Sequence, residues 1–327
     1  MLEAVEVSRA ARTAVQVVWT REDDMHHDRY HPAQVHRITA GLDQSGKVIA
    51  WRHQASDYHL TMFGPFDPNY DPSADEIPWG GFDVPYDFPA LDVTLAVLES
   101  PVPSGAWRSV GYPASVFARE SFIDEIAHAT GRDPVALRLY LIPSPGNITR
   151  PSGTRANGDL LRGVLKLAAE KAGWGMPLPP SADNRRWGRG IACNAYHAQT
   201  MVAQVAEVSV GSGGDVRVHR VVCAVDCGQV INLSGLEGQF ESGVAWALSA
   251  ALRGRITFAN GRTEQSNFGD FPVLRMSEMP DVEVHAVHSG LPPFGVGEPP
   301  VPAVAPAVAN AVFAATGARI RELPLHR

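Results

Sequence analysis

The stretch FGVGEPPVPAVAPAVAN, residues 294–310, holds a single charge, Glu298, among glycines and prolines. Gly295 and Gly297 leave the backbone free to approach a ligand closely or to take a positive φ. Pro299 and Pro300 stiffen the next residues and hold Glu298 toward extended geometry. A carboxylate fixed this way in an apolar pocket suits general-base catalysis, because desolvation moves carboxylic acids toward the range in which they exchange protons near neutrality. A surface turn ahead of a helix, with the acid placed favourably at the helix N-terminus, would account for the same residues.

Three other stretches carry candidate chemistry. In GAWRSVGYP (105–113), Arg108 stands between Trp107 and Gly111. Its planar fork could grip an anionic group, and Gly111 would permit close approach. The alternative is a loop arginine paired with one of the many acids. In LEGQFESG (236–243), Gln239 offers both a donor and an acceptor, which suits a cofactor ring or oxo group as well as a satisfied core amide. HHDRYH (26–31) follows three acids at 22–24, but its spacing matches no tight metal motif; a substrate channel, a structural network or a surface explains it equally.

Other chemistries are disfavoured. Cys223 and Cys227 are spaced C-x3-C, which falls short of the four ligands of structural zinc and reads more simply as strand cysteines in a core. The odd count of three cysteines is no disulfide framework. No glycine-rich dinucleotide fingerprint, P-loop or GxSxG elbow is present. A formal charge of -7 over 327 residues argues against a nucleic-acid footprint. The N-terminal residues lack the apolar core and cleavage site of a signal peptide, and no window is apolar enough to span a membrane. The compartment is expected to be the cytoplasm, or the periplasm if a partner chain carries the export signal.

These residues need elements to position them. Good helix formers predict the end of a helix near residues 2–11. Strands are predicted at 15–19, 47–60, 91–100, 202–210, 216–226 and 281–289, the fourth and fifth pairing across GSGGD. Helices are predicted at 113–130, from Asp133-Pro134 onward, and at 160–173, 235–252 and 304–317, with Gly131 and Gly317 as stops. An ordered loop is expected over 63–88, and linkers at 147–158 and 175–189. The mixture predicts an α+β (mixed α/β) fold, divided into 1–174, a linker at 175–189, and 190–327.

Taken together, VVWTREDDMHHDRYHPAQVHRI, GAWRSVGYPASVFARESFIDEIAH, VRVHRVVCAVDCGQVINLSGLEGQFESG, EQSNFGDFPVLRMSEMPDVEV and GVGEPPVPAVAPAVANAVFAATG resemble the molybdenum hydroxylases. This is the family of xanthine dehydrogenase and aldehyde oxidase, and the resemblance is to its isoquinoline 1-oxidoreductase branch, running from Leu2 to Leu325. It implies a molybdopterin cofactor carrying molybdenum, in the cytosine dinucleotide form common in bacteria, and hydroxylation of an aldehyde or N-heterocycle with oxygen from water. Glu298 matches the family's catalytic glutamate, whose implied role is to take the proton from the water-derived hydroxyl that attacks the substrate carbon. Gln239 matches a glutamine near the metal or pterin. Arg108 aligns with an arginine-containing stretch lining the cofactor site, with Trp107 and Tyr112 as pocket walls. The pterin dithiolene holds the metal in this family, so no protein ligand is expected. The 2Fe-2S clusters belong to a partner.

The sequence also departs from the pattern. The family's large subunit is much longer, and its GGGFGRR-like cofactor motif, upstream of the residue matching Leu2, is absent. QTMVAQV has no clear match to the wider family's glycine-rich pterin loop. The chain therefore resembles the C-terminal half of a catalytic subunit. The favoured expectation is an obligate partner chain carrying the first half, with an incomplete product as the alternative. A small iron–sulfur subunit, then a flavin or cytochrome, would accept the electrons. A scaffolding subunit without catalysis is the competing function.

Overall fold

The computed structural model describes residues 2–58, 84–149, 155–178 and 184–325. Helices α1 (Leu2–Ala11) and α2 (Arg21–His27) precede a three-stranded sheet of β1 (Val35–Leu42), β2 (Val48–Tyr58) and β3 (Leu91–Leu98). β1 pairs antiparallel with β2, and β3 runs parallel to β2. Helix α3 (Tyr112–Thr130) packs on this sheet, where Trp51 stacks on Phe88 and meets Phe122 edge-on. Gly131 closes α3 in the left-handed conformation, φ 64°. Asp133 caps α4 (Pro134–Leu141), its carboxylate accepting from the Val135 and Ala136 N–H groups. A hairpin of β4 (Asn147–Thr149) and β5 (Arg155–Asn157) leads into α5 (Gly158–Lys171), capped by the Asn157 side chain.

The second sheet has the order β11-β8-β7-β6. β6 (Arg186–Tyr196), β7 (Thr200–Val210) and β8 (Val216–Asp226) form an antiparallel meander, while β11 (Asp281–Ala286) is parallel to β8. Helix α6 (Leu233–Leu252) and the small hairpin β9 (Phe258–Ala259) and β10 (Arg262–Thr263) lie between β8 and β11 in sequence. Every residue of β7 is buried, because both faces of the sheet are covered. Ala203 and Val205 pack in one core with Leu161, Leu165 and Ala168 of α5. Val202, Ala206 and Val208 pack in another with Phe240 of α6 and Val308 of α7 (Val304–Thr316).

Close approach of α7 to β6 explains two glycines. A Cβ on Gly190 would lie 2.2 Å from the Ala311 nitrogen and 2.3 Å from the Ala307 carbonyl oxygen, and one on Gly188 would lie 2.0 Å from the Ala311 carbonyl oxygen. These are backbone atoms that cannot swing aside. Gly190→Val is expected to destabilise the protein by about 3 kcal/mol, read as a lower thermal midpoint. An unchanged midpoint would mean that α7 can move off the sheet.

The architecture is the mixed α/β fold that the sequence predicts, with local differences. Residues 15–19, predicted as a strand, form no strand; Val18 and Trp19 are exposed and Trp19 donates instead to Glu3. β propensity alone does not supply the ladder partner a strand requires. The expected linker 147–158 contains the β4–β5 hairpin, and β6 begins at Arg186, inside the expected linker 175–189. β1 and β6 were not foreseen. Most of the loop expected over 63–88 lies outside the described residues, but its end buries Val84, Tyr86 and Phe88. The two parts flanking 175–189 share a core, since Val48 and Trp51 belong to the same apolar cluster as Ile191, Met201 and Val222.

Candidate functional site

The segment leading into α7 is tied down at both ends. The Phe294 N–H donates to the Cys227 carbonyl at 2.8 Å, where β8 ends. From β7, Thr200 Oγ1 donates to the Gly295 carbonyl and Gln204 Nε2 to the Pro300 carbonyl, each at 2.9 Å. Pro300 is buried against α6, where a Cβ on Gly243 would come within 2.5 Å of the proline Cβ. The prolines thus give this loop a rigid seat between β7 and α6.

Glu298 is half-buried, and each of its carboxylate oxygens accepts a hydrogen bond. Its Oε1 accepts from the Ser109 N–H at 3.1 Å and its Oε2 from the Tyr196 hydroxyl at 2.5 Å. Its carbonyl accepts from Ser109 Oγ at 2.7 Å and from the Val301 N–H at 3.1 Å. Ser109 and Val110 hold positive φ values of 79° and 51°, a costly conformation for non-glycine residues and most of all for a β-branched one. That turn aims the Ser109 N–H at the carboxylate. The expected apolar pocket is therefore a polar cradle within this chain, in a turn that leads into α7. Burial first, then the neighbouring Glu298, pushes the Tyr196 phenol far above its ordinary ionisation range, so Tyr196 keeps its proton and donates.

Arg108 joins the other candidates to this point. Its Nε donates to the Gly297 carbonyl at 2.6 Å and its Nη1 to Ser242 Oγ at 2.9 Å. Its Nη2 donates to the Gln239 carbonyl at 3.2 Å and to Gln239 Oε1 at 3.1 Å. The fork expected to hold an anionic group is spent on neutral oxygens of this chain. Burial lowers the ionisation of Arg108, and the nearby Glu298 opposes that shift; a guanidinium remains cationic at neutral pH. Gln239 is exposed and not a core amide.

The glycines and aromatics fall around this knot in different ways. Gly295 and Gly297 are exposed, and neither takes the left-handed conformation allowed for in the sequence. A Cβ on Gly295 would meet nothing within 4 Å, and one on Gly297 only Gln239 Oε1 at 3.9 Å. Gly111 is buried at the start of α3 with φ -80°. Trp107 packs against the exposed Trp246 of α6, ring centroids 5.9 Å apart, and His31 meets its edge. Tyr112 is not an open pocket wall. It is buried behind Tyr196, 4.4 Å between rings, and accepts from the His197 N–H.

Behind the site lies a buried charged network. Glu120 on α3 accepts from the Tyr86 hydroxyl at 2.8 Å, from Arg138 Nε at 2.9 Å and from the Cys193 N–H at 3.1 Å. Arg119 Nε approaches the same carboxylate at 3.4 Å, while its Nη2 donates to Asn194. Asn310 of α7 donates to the Glu120 and Ile191 carbonyls. The network locks α3, α4, β6 and α7 together, and so fixes the strand that carries Tyr196 and the helix beyond Glu298.

The remaining candidates do not converge. His26 and His27 are exposed on α2, whereas His31 pairs with the Val110 carbonyl. The cysteines are buried, and burial pushes the Cys193 and Cys223 thiols up to about 12. The sequence did not single out Ser109, Tyr196, Thr200 or Ser242. Ser109 was within reach, beside Arg108 and ahead of a glycine, but its conformation depends on contacts distant in sequence.

Residues 2–140 and 179–280 each match a family model described as a molybdopterin cofactor-binding domain. The chain is 33% identical to the beta subunit of isoquinoline 1-oxidoreductase from Brevundimonas diminuta, over 99% of this chain and 40% of that protein. It is 32% identical to a nicotinate dehydrogenase subunit of Pseudomonas putida, over 99% of this chain and 28% of that one. It thus spans well under half the length of these curated relatives. Quinoline 2-oxidoreductase from Pseudomonas putida 86 shares the fold with a TM-score of 0.84 at 14% identity, over 99% of this chain and 65% of that one. The chain belongs to the molybdenum hydroxylase family, that of xanthine dehydrogenase and aldehyde oxidase.

Proposed function

We propose that this chain is part of the catalytic component of a molybdenum hydroxylase that oxidises an N-heterocycle or aldehyde with oxygen from water, and that Glu298 is its general base. The observation that carries this is the carboxylate itself, held from both sides by Ser109 and Tyr196 at the edge of an open rim formed by Gln239, Gly295 and Gly297.

The residues present fit a molybdopterin group. The glycines leave uncrowded backbone at the rim, and the exposed Gln239 Nε2 has no hydrogen-bond partner among the described residues. Gln239, with the backbone of Gly295 and Gly297, would hold the group, in its cytosine dinucleotide form. When bound, it supplies the two-electron redox chemistry. Glu298 accepts the proton from the attacking hydroxyl. Arg108 keeps the Gly297 and Gln239 carbonyls in register and places positive charge near the base. Trp107 and Trp246, their rings inclined by 40°, offer aromatic surface to a planar substrate.

Ile231 and Leu233 are exposed apolar surface that a partner chain carrying the first half would cover. A small 2Fe-2S subunit, then a flavin or cytochrome, would take the electrons. The assembly would work in the cytoplasm, or in the periplasm if the partner carries the export signal. No helix among the described residues is long and apolar enough to cross a membrane. Gentle purification of the complex should yield molybdenum and turnover with an aldehyde or an N-heterocycle. A fully matured complex without molybdenum would overturn the proposal in favour of a scaffolding subunit.

A further inference from the structure

We propose that Tyr196 is the positioning residue of this site, keeping the Glu298 carboxylate aimed by donating its phenolic hydrogen to Oε2 across 2.5 Å. This rests on Glu298 being the base. The contact is at the short end for a hydroxyl donating to a charged oxygen, where such bonds are strongest. An ionised carboxylate has about four lone-pair sites. Ser109 and Tyr196 occupy one on each oxygen, leaving capacity for the proton that the reaction delivers.

The donor is well held. Tyr196 is the last residue of β6, three beyond Cys193, whose N–H is anchored on Glu120. Its ring packs against Tyr112 and His197, with centroids 4.4 and 4.5 Å away. The ionisable groups around the contact are Arg108 from the loop before α3, Tyr112 from α3, and Tyr196 with His197 from the end of β6. Arg108 acts on the carboxylate through space, its hydrogen bonds going to neutral oxygens. Tyr196 therefore makes the one side-chain hydrogen bond to the carboxylate among the described residues.

The test uses the assembled holoenzyme with Tyr196→Phe, which keeps the ring packing, and with 3-fluorotyrosine at position 196, a stronger donor of nearly the same shape. Two readouts are followed: the infrared carboxylate stretch that disappears in Glu298→Gln, and kcat set against KM. Loss of a hydrogen bond to a charged group should shift the stretch in Tyr196→Phe and lower kcat by about ten-fold with KM little changed. Fluorotyrosine should shift the stretch the opposite way. A carboxylate stretch unchanged in both variants would overturn the proposal. A shifted stretch in complexes where Glu298→Gln turns over normally would leave Tyr196 as the donor but remove Glu298 as the base, so the two claims fail separately.

Discussion

Glu120→Ala is expected to destabilise the protein by about 3–5 kcal/mol. Glu120, Arg119 and Arg138 are completely buried, with Glu120 the carboxylate bonded to both guanidinium groups. Deleting it leaves the Arg138 guanidinium without its carboxylate away from water and takes the acceptor from the Tyr86 hydroxyl and the Cys193 N–H. The penalty comes from the groups left unpaired more than from the lost attraction. Adding Arg138→Met to Glu120→Ala should therefore recover part of the loss, because it removes the stranded charge. Urea or thermal unfolding of the assembled complex reads both effects. A single-variant loss below about 1 kcal/mol would mean that water reaches the network.

Glu298→Gln is expected to lower turnover by about a thousand-fold, within the range general bases contribute. Glutamine is nearly isosteric, and its oxygen can still accept one of the two hydrogen bonds from Ser109 and Tyr196. The loop is held elsewhere by Thr200, Gln204 and the Cys227 carbonyl, so its path should survive. What is lost is the ability to accept a proton. The fall should appear in kcat, with KM little changed, because the carboxylate is assigned to the reaction and not to substrate binding. A raised KM with normal kcat would reassign Glu298 to binding.

Much of the scaffold was legible because its signals are local. Asp133-Pro134 starts α4, Gly131 and Gly317 stop helices in left-handed geometry, and alternation around GSGGD predicts the β7–β8 pair. β6 was not legible. RWGRGIACNAY interrupts its pattern with glycines, which weaken strands, and Gly190 is there to admit the backbone of α7. β1 mixes charged, polar and apolar residues because it is only partly covered.

The site divides in the same way. Glu298, Arg108 and Gln239 stood out by residue type and setting, and the fold brings them together. Ser109 and Tyr196 did not stand out. A serine shows no sign of a positive φ until distant residues impose it, and Tyr196 ends an unforeseen strand. Arg108 was found for a reason the structure changes, since it serves as an internal clamp and not as an anion fork.

The central claim is tested most directly by a single-turnover measurement on metal-loaded complexes containing wild-type chain or Glu298→Gln. Molybdenum content is first shown to be equal, and the rate at which substrate reduces the bound cofactors is then followed spectroscopically. The predicted result is equal loading with reduction slowed by about a thousand-fold in the variant. Equal loading with an unchanged rate of reduction would contradict the account.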